Sequence, residues 1–523
     1  MEEIYSLGPV ARLEQSVSSC PDKPLLVCGD EVLTRAELWR LSDGLAYSLM
    51  KRGLRRGDHV GVYGGNSIWH YLTHWACLRA GLIWAPINPG LSRRELEYTL
   101  QDLRPKIVFV SRDQQAAYSA VGRVQTLPLD RTIAFLAAEN SGKIEEVASW
   151  RPGDAAYIMY SGGTTGLPKA IILPYALPAV TALKYDSAIQ LDESDTIYSC
   201  MTMHHTWLLC LITAALYADC TVHVAPRFSA SRWYMNVRRS GATVVDPFLP
   251  MIAMILRRTP VARKEENLPP LRACNGYGSG SSIGESMRRE FERRFNVTTY
   301  EMYGLTEAPF VAVSTSFANR RGATGQALPW FETRIVDDDD LEMPTGAVGE
   351  ILVRPLLPHQ TSIGYLNKAE STVATWRNMF IHTGDRGRMD ADGYLYFVGR
   401  RSHYARCKGE NVSLTEVEGV LAEHEDVADC AAVAVPSDLG DDDIKACVVA
   451  TNGRVRPEAL VEWLATRLAT FKIPRYIEFV DSIPRSITKQ EIERSKLLPG
   501  DPGRTWDRGD VMQGSKAQGV DAP

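Results

Sequence analysis

The sequence predicts an α/β protein: a large N-terminal α/β domain with more than one subdomain, then a small C-terminal α+β domain. Three observations predict it. Strand-like and helix-like patterns alternate from Thr34 onward, as in layered folds with a largely parallel sheet. The chain has 523 residues, more than a single hydrophobic core usually serves. The pattern turns strand-rich near residue 330, and past Arg400 a compact run of helices and strands begins afresh.

The elements follow in order. Thr34 to Lys51 has helical spacing, with Leu38, Leu41, Leu45 and Leu49 on one side. The turn G-L-R-R-G-D leads into a buried strand, Val60 to Tyr63. His70 to Ala80 predicts a helix, Ile83 to Ile87 a strand, Arg93 to Asp102 a helix and Ile107 to Val110 a strand. Trp207 to Tyr217 is the longest apolar stretch; it is far too short to span a bilayer and reads as a buried helix. Thr221 to Val224 and Ala242 to Val245 are strands. Ser282-Ile283-Gly284-Glu285 has the form of a capping box opening a helix through Arg294. Thr333 to Val336 and Glu350 to Arg354 are strands linked through the acidic turn D-D-D-D, and Gly393 to Val398 is another. The C-terminal unit reads helix Thr415 to Glu423, strand Ala431 to Val435, strand Ala446 to Ala450 and helix Pro457 to Ala469. Boundaries are expected at 1–398, 399–403, 404–498 and 499–523, the last being a turn-rich tail expected to be disordered.

Composition excludes several classes. Apolar residues make up 45% and charged residues 23%, a globular balance. A net charge of −5 does not suit a nucleic-acid backbone or an anionic membrane. The ten cysteines show no C-x-x-C pairing, which argues for reduced thiols rather than a disulfide framework or structural zinc. M-E-E-I-Y-S-L has no basic region followed by an apolar core, so a cytoplasmic protein without a secretory leader or membrane span is expected.

The chemistry begins at Tyr157 to Ala170, Y-I-M-Y-S-G-G-T-T-G-L-P-K-A. Glycines let backbone N–H groups turn toward an anion, hydroxyls add donors, and Lys169 adds charge. A plain turn needs one or two glycines, not Ser161, Thr164, Thr165 and Lys169 as well. The loop is not a Walker loop, because Leu167 and Pro168 separate Gly166 from Lys169. The dinucleotide pattern G-x-G-x-x-G fails too.

Further stretches align with this loop: Tyr303-Gly304-Leu305-Thr306-Glu307, Ile381-His382-Thr383-Gly384-Asp385, Gly399-Arg400, Lys408-Gly409-Glu410-Asn411-Val412 and Pro484-Arg485-Ser486. Together, in order and nearly along the whole chain, they resemble the adenylate-forming superfamily of acyl- and aryl-CoA synthetases, peptide-synthetase adenylation domains and luciferases. The resemblance implies activation of a carboxylic acid by ATP through an acyl-AMP, then transfer to a thiol, usually that of coenzyme A. It implies that Ser161, Gly163, Thr164, Thr165, Gly166 and Lys169 hold phosphate, and that Glu307, with Thr164, reaches Mg²⁺. Otherwise Glu307 is a solvated helix cap. The resemblance also implies that Ser279, Gly280 and Ser281 lie against adenine, that Tyr303 stacks on it, and that Gly304 and Thr306 belong to the ATP-binding set. Asp385 accepts from the ribose hydroxyls and Arg400 contacts ribose or phosphate, unless they are a turn residue and a surface ion-pair partner. The small domain rotates between half-reactions on a hinge at His403, and Lys408, Gly409 and Glu410 approach the pantetheine thiol.

The resemblance places the acid beside His205, Trp207, Phe248, Ser279 and Gly304, with His204 a packed neighbour. Where amino-acid-activating relatives carry F-D, this chain reads Met203-His204-His205, so an uncharged fatty, aryl or polycyclic acid is favoured. Asp246 either recognises a polar group on the acid or caps a strand end. The family's final motif, P-R-T-x-x-G-K-[IV]-x-[RK], is broken. Anchored on Ile492 and Arg494 its lysine position is Glu491; anchored on Pro484 it is Gln490; Lys489 fits only if the loop shifts. Either Lys489 swings in, or adenylation is feeble and the thioester step dominates. A luciferase-like oxygenase, a stand-alone adenylation enzyme loading a carrier-protein thiol, and a non-catalytic nucleotide-binding protein are the other classes. A homodimer is compatible with all of them.

Overall fold

The computed structural model describes residues 8–139, 148–161, 168–258, 271–277, 282–400, 404–407, 410–437, 442–451, 455–486, 490–498, 500 and 503–508. The chain divides into two compact units. The first takes in the residues up to 279, 286–383 and 388–396; the second takes in 280–285, 384–387 and the residues from 397 on.

Local signals place the early helices. Thr34 accepts from the Glu37 N–H while Glu37 reaches back to Thr34, a complete capping box that starts the Arg35–Lys51 helix. Its Leu38, Leu41, Leu45 and Leu49 are buried, as their spacing predicts. Ser67 caps Ile68–Ala80, and Gly81 ends it at φ 74°, a left-handed conformation that glycine adopts without penalty. A second capping box, Ser92 with Glu95, opens Arg93–Leu103. Thr206–Tyr217 is the buried apolar helix. Among the described residues no helix is long and apolar enough to cross a membrane. All ten cysteines are free thiols.

The first unit is organised on two sheets. In a seven-stranded sheet, Ile83–Ile87, His59–Tyr63, Ile107–Val110 and Thr126–Pro128 run parallel. At its other end the sheet turns antiparallel: Ala155–Ser161 pairs with Lys169–Pro174, which pairs with Gly364–Tyr365. The second sheet has a parallel centre in which Pro24–Cys28, Thr221–Val224, Thr196–Ser199, Val244–Val245, Ala273–Tyr277 and Thr298–Leu305 lie side by side. It continues antiparallel through Ala308–Val313. The largely parallel expectation therefore holds for the centres of the sheets, while their flanks are hairpins. Phe331–Val336 and Gly349–Pro355, expected as strands, pair antiparallel with Val336 opposite Glu350.

In the second unit, Leu414–Ala422, capped by Ser413, packs on Val427–Pro436 and Asp442–Ala450. The helix expected over Pro457 to Ala469 stops at Ala465 and gives way to a short 3₁₀ turn at Thr470–Lys472. The disordered tail expected from residue 499 is corrected in part. Thr505–Asp507 forms an edge strand on Tyr476–Phe479, Trp506 packs against the core, and Arg475 pairs with Asp507 at 3.3 Å. One aromatic residue and one ion pair suffice to dock a segment whose composition is otherwise turn-like. The hinge residues 401–403, His403 among them, lie outside the described residues.

Candidate active site

Ser161 and Lys169 face each other as paired residues of an antiparallel hairpin. The glycine-rich loop is thus the link within a hairpin, and Lys169 begins the return strand. Gly163, Thr164, Thr165 and Gly166 lie outside the described residues. The Lys169 ammonium sits 5.2 Å from the ring centre of Tyr365, within cation–π range. The Tyr365 hydroxyl donates to Glu307 Oε1 at 2.7 Å. Burial first, then the charge of Glu307, pushes the Tyr365 phenol far up, so it remains a donor. The cation of the loop and the carboxylate expected to reach a metal therefore share one tyrosine. Sequence reading missed Tyr365; its only local signal is an aromatic residue in the short G-Y-L-N stretch.

Glu307 is not a helix cap. Thr306 and Glu307 form the two-residue connection between Thr298–Leu305 and Ala308–Val313, with Leu305 opposite Ala308. The Glu307 carbonyl accepts from the Ser362 N–H at 2.7 Å, which ties this turn to the segment carrying Tyr365. Gly304 is required by close packing: a Cβ there would lie 2.5 Å from the Phe310 nitrogen and 3.0 Å from the Ala308 oxygen. Tyr303, one residue earlier, is buried. Behind the hairpin, the fully buried Lys184 donates to the Pro309 carbonyl at 3.1 Å and lies 4.1 Å from the Phe331 ring centre. Desolvation pulls its pKa well below the usual lysine range. Among the described residues no three His, Cys, Asp or Glu side chains converge on a metal-sized site. A hard cation carried by substrate phosphates needs only one or two carboxylates, and Glu307, held through one oxygen by Tyr365, is a carboxylate of that kind.

Three of the residues expected beside the acid, His205, Trp207 and Phe248, also meet. His205 caps the Thr206–Tyr217 helix, its Nδ1 accepting from the Trp207 N–H at 3.1 Å, which assigns the ring hydrogen of the neutral form to Nε2. Phe248 packs edge-on to Trp207 at 5.2 Å and to His205 at 6.5 Å. Phe310 meets the other side of Trp207 at 5.0 Å. His204 is buried, 3.1 Å from the Thr202 hydroxyl, and burial pulls it down to about 3, as befits a packed neighbour. Asp246 directly follows the strand Val244–Val245. It is 1% exposed and accepts from Ser199 Oγ at 2.7 Å and Trp207 Nε1 at 3.0 Å.

Asp385 is buried in the strand Ile381–Met389, within the 384–387 segment of the second unit. The side chain of Arg400 and Ser279, Gly280 and Ser281 lie outside the described residues. So do Lys408, Gly409 and the side chain of Glu410, although the flanking strands pair with Cys407 opposite Glu410. Lys489 lies outside as well; residues 484–486 and 490–494 of the motif are described. Arg485 bridges to Ile492, and Ser486 N–H donates to the Glu491 carbonyl at 2.8 Å. Arg494 holds Glu418 at 2.7 Å and donates to the Ala432 carbonyl at 3.1 Å. Gln490 takes φ 57°, a conformation that glycine reaches most easily. The glycine of the final motif corresponds best to Gln490 on that ground, and the next residue is Glu491.

The AMP-binding enzyme family model matches residues 13–366, and that of the AMP-binding enzyme C-terminal domain matches residues 416–489. The chain is 28% identical over 499 residues to a fatty acid–[acyl-carrier-protein] ligase of Streptomyces coeruleorubidus, covering 91% of this chain and 93% of that protein. It is 27% identical over 489 residues to a 2-succinylbenzoate–CoA ligase of Bacillus cereus (strain ZK / E33L), covering 92% and 96%. Among solved structures it superposes on ATP-bound MatB from Rhodopseudomonas palustris with a TM-score of 0.83 at 25% identity, covering 93% and 97%. The O-succinylbenzoate coenzyme A synthetase from Bacillus subtilis, solved with ATP and magnesium ion, gives 0.80 at 25% identity, covering 93% and 98%.

Proposed function

The chain belongs to the AMP-binding enzyme family, and from that premise we propose that it is an acid–thiol ligase. A carboxylate oxygen of the acid attacks the α-phosphorus of ATP, the bond to the pyrophosphate oxygen breaks, and acyl-AMP forms. The thiol sulfur of coenzyme A then attacks the acyl carbon, AMP leaves with the bonding pair, and the thiol proton is released. The observation that carries this reading is the Lys169–Tyr365–Glu307 arrangement at the phosphate hairpin. Lys169 offsets phosphate charge, and Tyr365 orients Glu307 and leaves its second oxygen to a cation. Mg²⁺, when bound there, neutralises charge on the phosphate oxygens. Thr164 and Thr165 add donors on the loop, Asp385 and Arg400 hold the ribose, and Ser279, Gly280, Ser281 and Tyr303 face the adenine. The domains meet at 398, with 399–403 as the pivot that brings Lys408, Gly409 and Glu410 to the thiol. A cytoplasmic location suits the free cysteines.

The experiment is a pyrophosphate-release screen of fatty, aryl and polycyclic acids with ATP and Mg²⁺, run with CoA, with a phosphopantetheinylated carrier protein and with neither. The carrier arm is included because one relative is named as an acyl-carrier-protein ligase. CoA-stimulated release supports the proposal; nucleotide binding without release from any acid returns the chain to a non-catalytic role. A second reading rests on Gln490 and Glu491. With a glutamate at the lysine position of the final motif, adenylation is slow and thioester formation from a supplied acyl-AMP is fast.

A further inference from the structure

Three parallel strands end side by side in the second sheet. Val245 is opposite Tyr198 on one side and Cys274 on the other, so one residue further on Ser199, Asp246 and Asn275 form a row. The row lies at the carboxyl ends of the strands, where open α/β sheets hold their ligands. All three residues are buried. Asp246 Oδ2 accepts from the Ser199 hydroxyl and the Trp207 ring N–H, and the backbone N–H groups of Cys200 and Asp246 also act on the carboxyl group. Among the described residues, Asp246 Oδ1 is buried and has no partner in good hydrogen-bonding geometry, and neither has Asn275 Oδ1. The Asn275 amide nitrogen donates to the Tyr185 hydroxyl. Two adjacent orphan acceptors in one protein interior are costly, since each forfeits its hydration without return.

The surroundings are aromatic. Trp207, Phe248 and Phe310 stand edge to face around the carboxyl group's partner ring. Phe310 reaches this position from φ 54°, which is strained for an aromatic residue. Burial also pushes the Asp246 carboxyl up to about 7, against the downward pull of the Ser199 and Trp207 side chains and of backbone N–H groups. A purely hydrocarbon acid would leave both acceptors unsatisfied.

We propose that Asp246 is a specificity-determining residue and that the acid accepted here is an aryl acid bearing a neutral hydrogen-bond donor, a ring hydroxyl or ring N–H, that reaches Asp246 Oδ1. The proposal rests on the ligase reading above and names its substrate class. An α-ammonium fits less well, because it brings three donors to a corner with one free carboxylate oxygen and one amide oxygen. Aromatic walls match a planar ring better than a flexible chain.

The test uses the full chain and matched sets of aryl acids: unsubstituted, hydroxylated, O-methylated and amino-acid analogues, each assayed for pyrophosphate release and for protection against thermal unfolding. At pH 8, where the raised carboxyl group is ionised, one hydrogen bond to a charged acceptor predicts roughly a 10- to 100-fold preference in kcat/KM for the hydroxylated member over its O-methyl partner. Asp246→Asn puts an N–H₂ group where Oδ1 stands if its oxygen keeps the Ser199 and Trp207 donors. That variant should lose the preference or reverse it, and retained ATP protection shows that it is folded. If wild type releases pyrophosphate equally from donor-bearing and donor-free acids, or prefers the amino acid, the Asp246 assignment falls and the ligase reading stands. If no acid in any set supports release, both fall together.

Discussion

Removing the hydroxyl of Tyr365 tests how the phosphate hairpin and the carboxylate turn cooperate. Tyr365→Phe keeps the ring that lies 5.2 Å from the Lys169 ammonium and deletes only the donor placed 2.7 Å from Glu307 Oε1. A hydrogen bond to a charged group is worth about 1.5–3 kcal/mol. Glu307 is only half-buried, so water can replace part of the lost bond and the lower end applies. Losing a residue that orients a metal ligand typically costs about 10- to 100-fold in affinity or activity, and about tenfold is expected here. The effect should appear as a rightward shift in the Mg²⁺ dependence of pyrophosphate release, with little change at saturating Mg²⁺. Tyr365→Leu removes the ring as well and should also raise KM for ATP, because Lys169 loses its platform. A Phe variant whose Mg²⁺ dependence overlays the wild type would refute the claim that Tyr365 orients Glu307. A Leu variant no worse than Phe would refute the role of the ring.

Three other outcomes are expected. Arg494→Met leaves the Glu418 carboxylate without its ion-pair partner at side-chain exposures of 16% and 12%, a loss approaching ~3–5 kcal/mol; hydrogen exchange in Val427–Pro436 should accelerate, and an unchanged rate would show the pair to be energetically idle. Asp246 carries a folded-state pKa raised from 3.8 to about 7, so the folded chain holds the extra proton between these values and stability falls as pH rises through them. At 1.36 kcal/mol per unit the fall is on the order of 4 kcal/mol, and urea midpoints at pH 5 and pH 8 should show a clearly smaller drop for Asp246→Asn than for wild type. In the final motif, Lys489→Ala should suppress acyl-AMP formation while sparing thioester formation from supplied acyl-AMP, and Glu491→Lys should raise adenylation on the order of 10²-fold; rapid-quench measurement of acyl-AMP decides, and a wild type that forms the adenylate as fast as it consumes it sinks the displaced-cation idea.

Much was determined by the sequence alone. The helix expected up to Lys51, the leucine spacing of residues 38–49 and the buried helix after His205 are local patterns, and each formed where it was written. The family was also legible, because its loops are contiguous strings whose residue types each suit one part of the bound nucleotide or its metal. Local reading failed where the answer is a distance between remote residues. Nothing near Glu307 announces Tyr365, which lies 58 positions away and closes on it at 2.7 Å only because its short strand is laid on the return strand of the phosphate hairpin. No local pattern puts Asp246 beside Ser199 and Asn275; the register of three parallel strands does. The left-handed turn at Gln490 favours one of two alignments that the letters left equal. Propensity and capping act within one helical turn and are therefore written in adjacent residues, whereas strand order and register are settled by burial across the whole sheet, and only they decide which side chains converge.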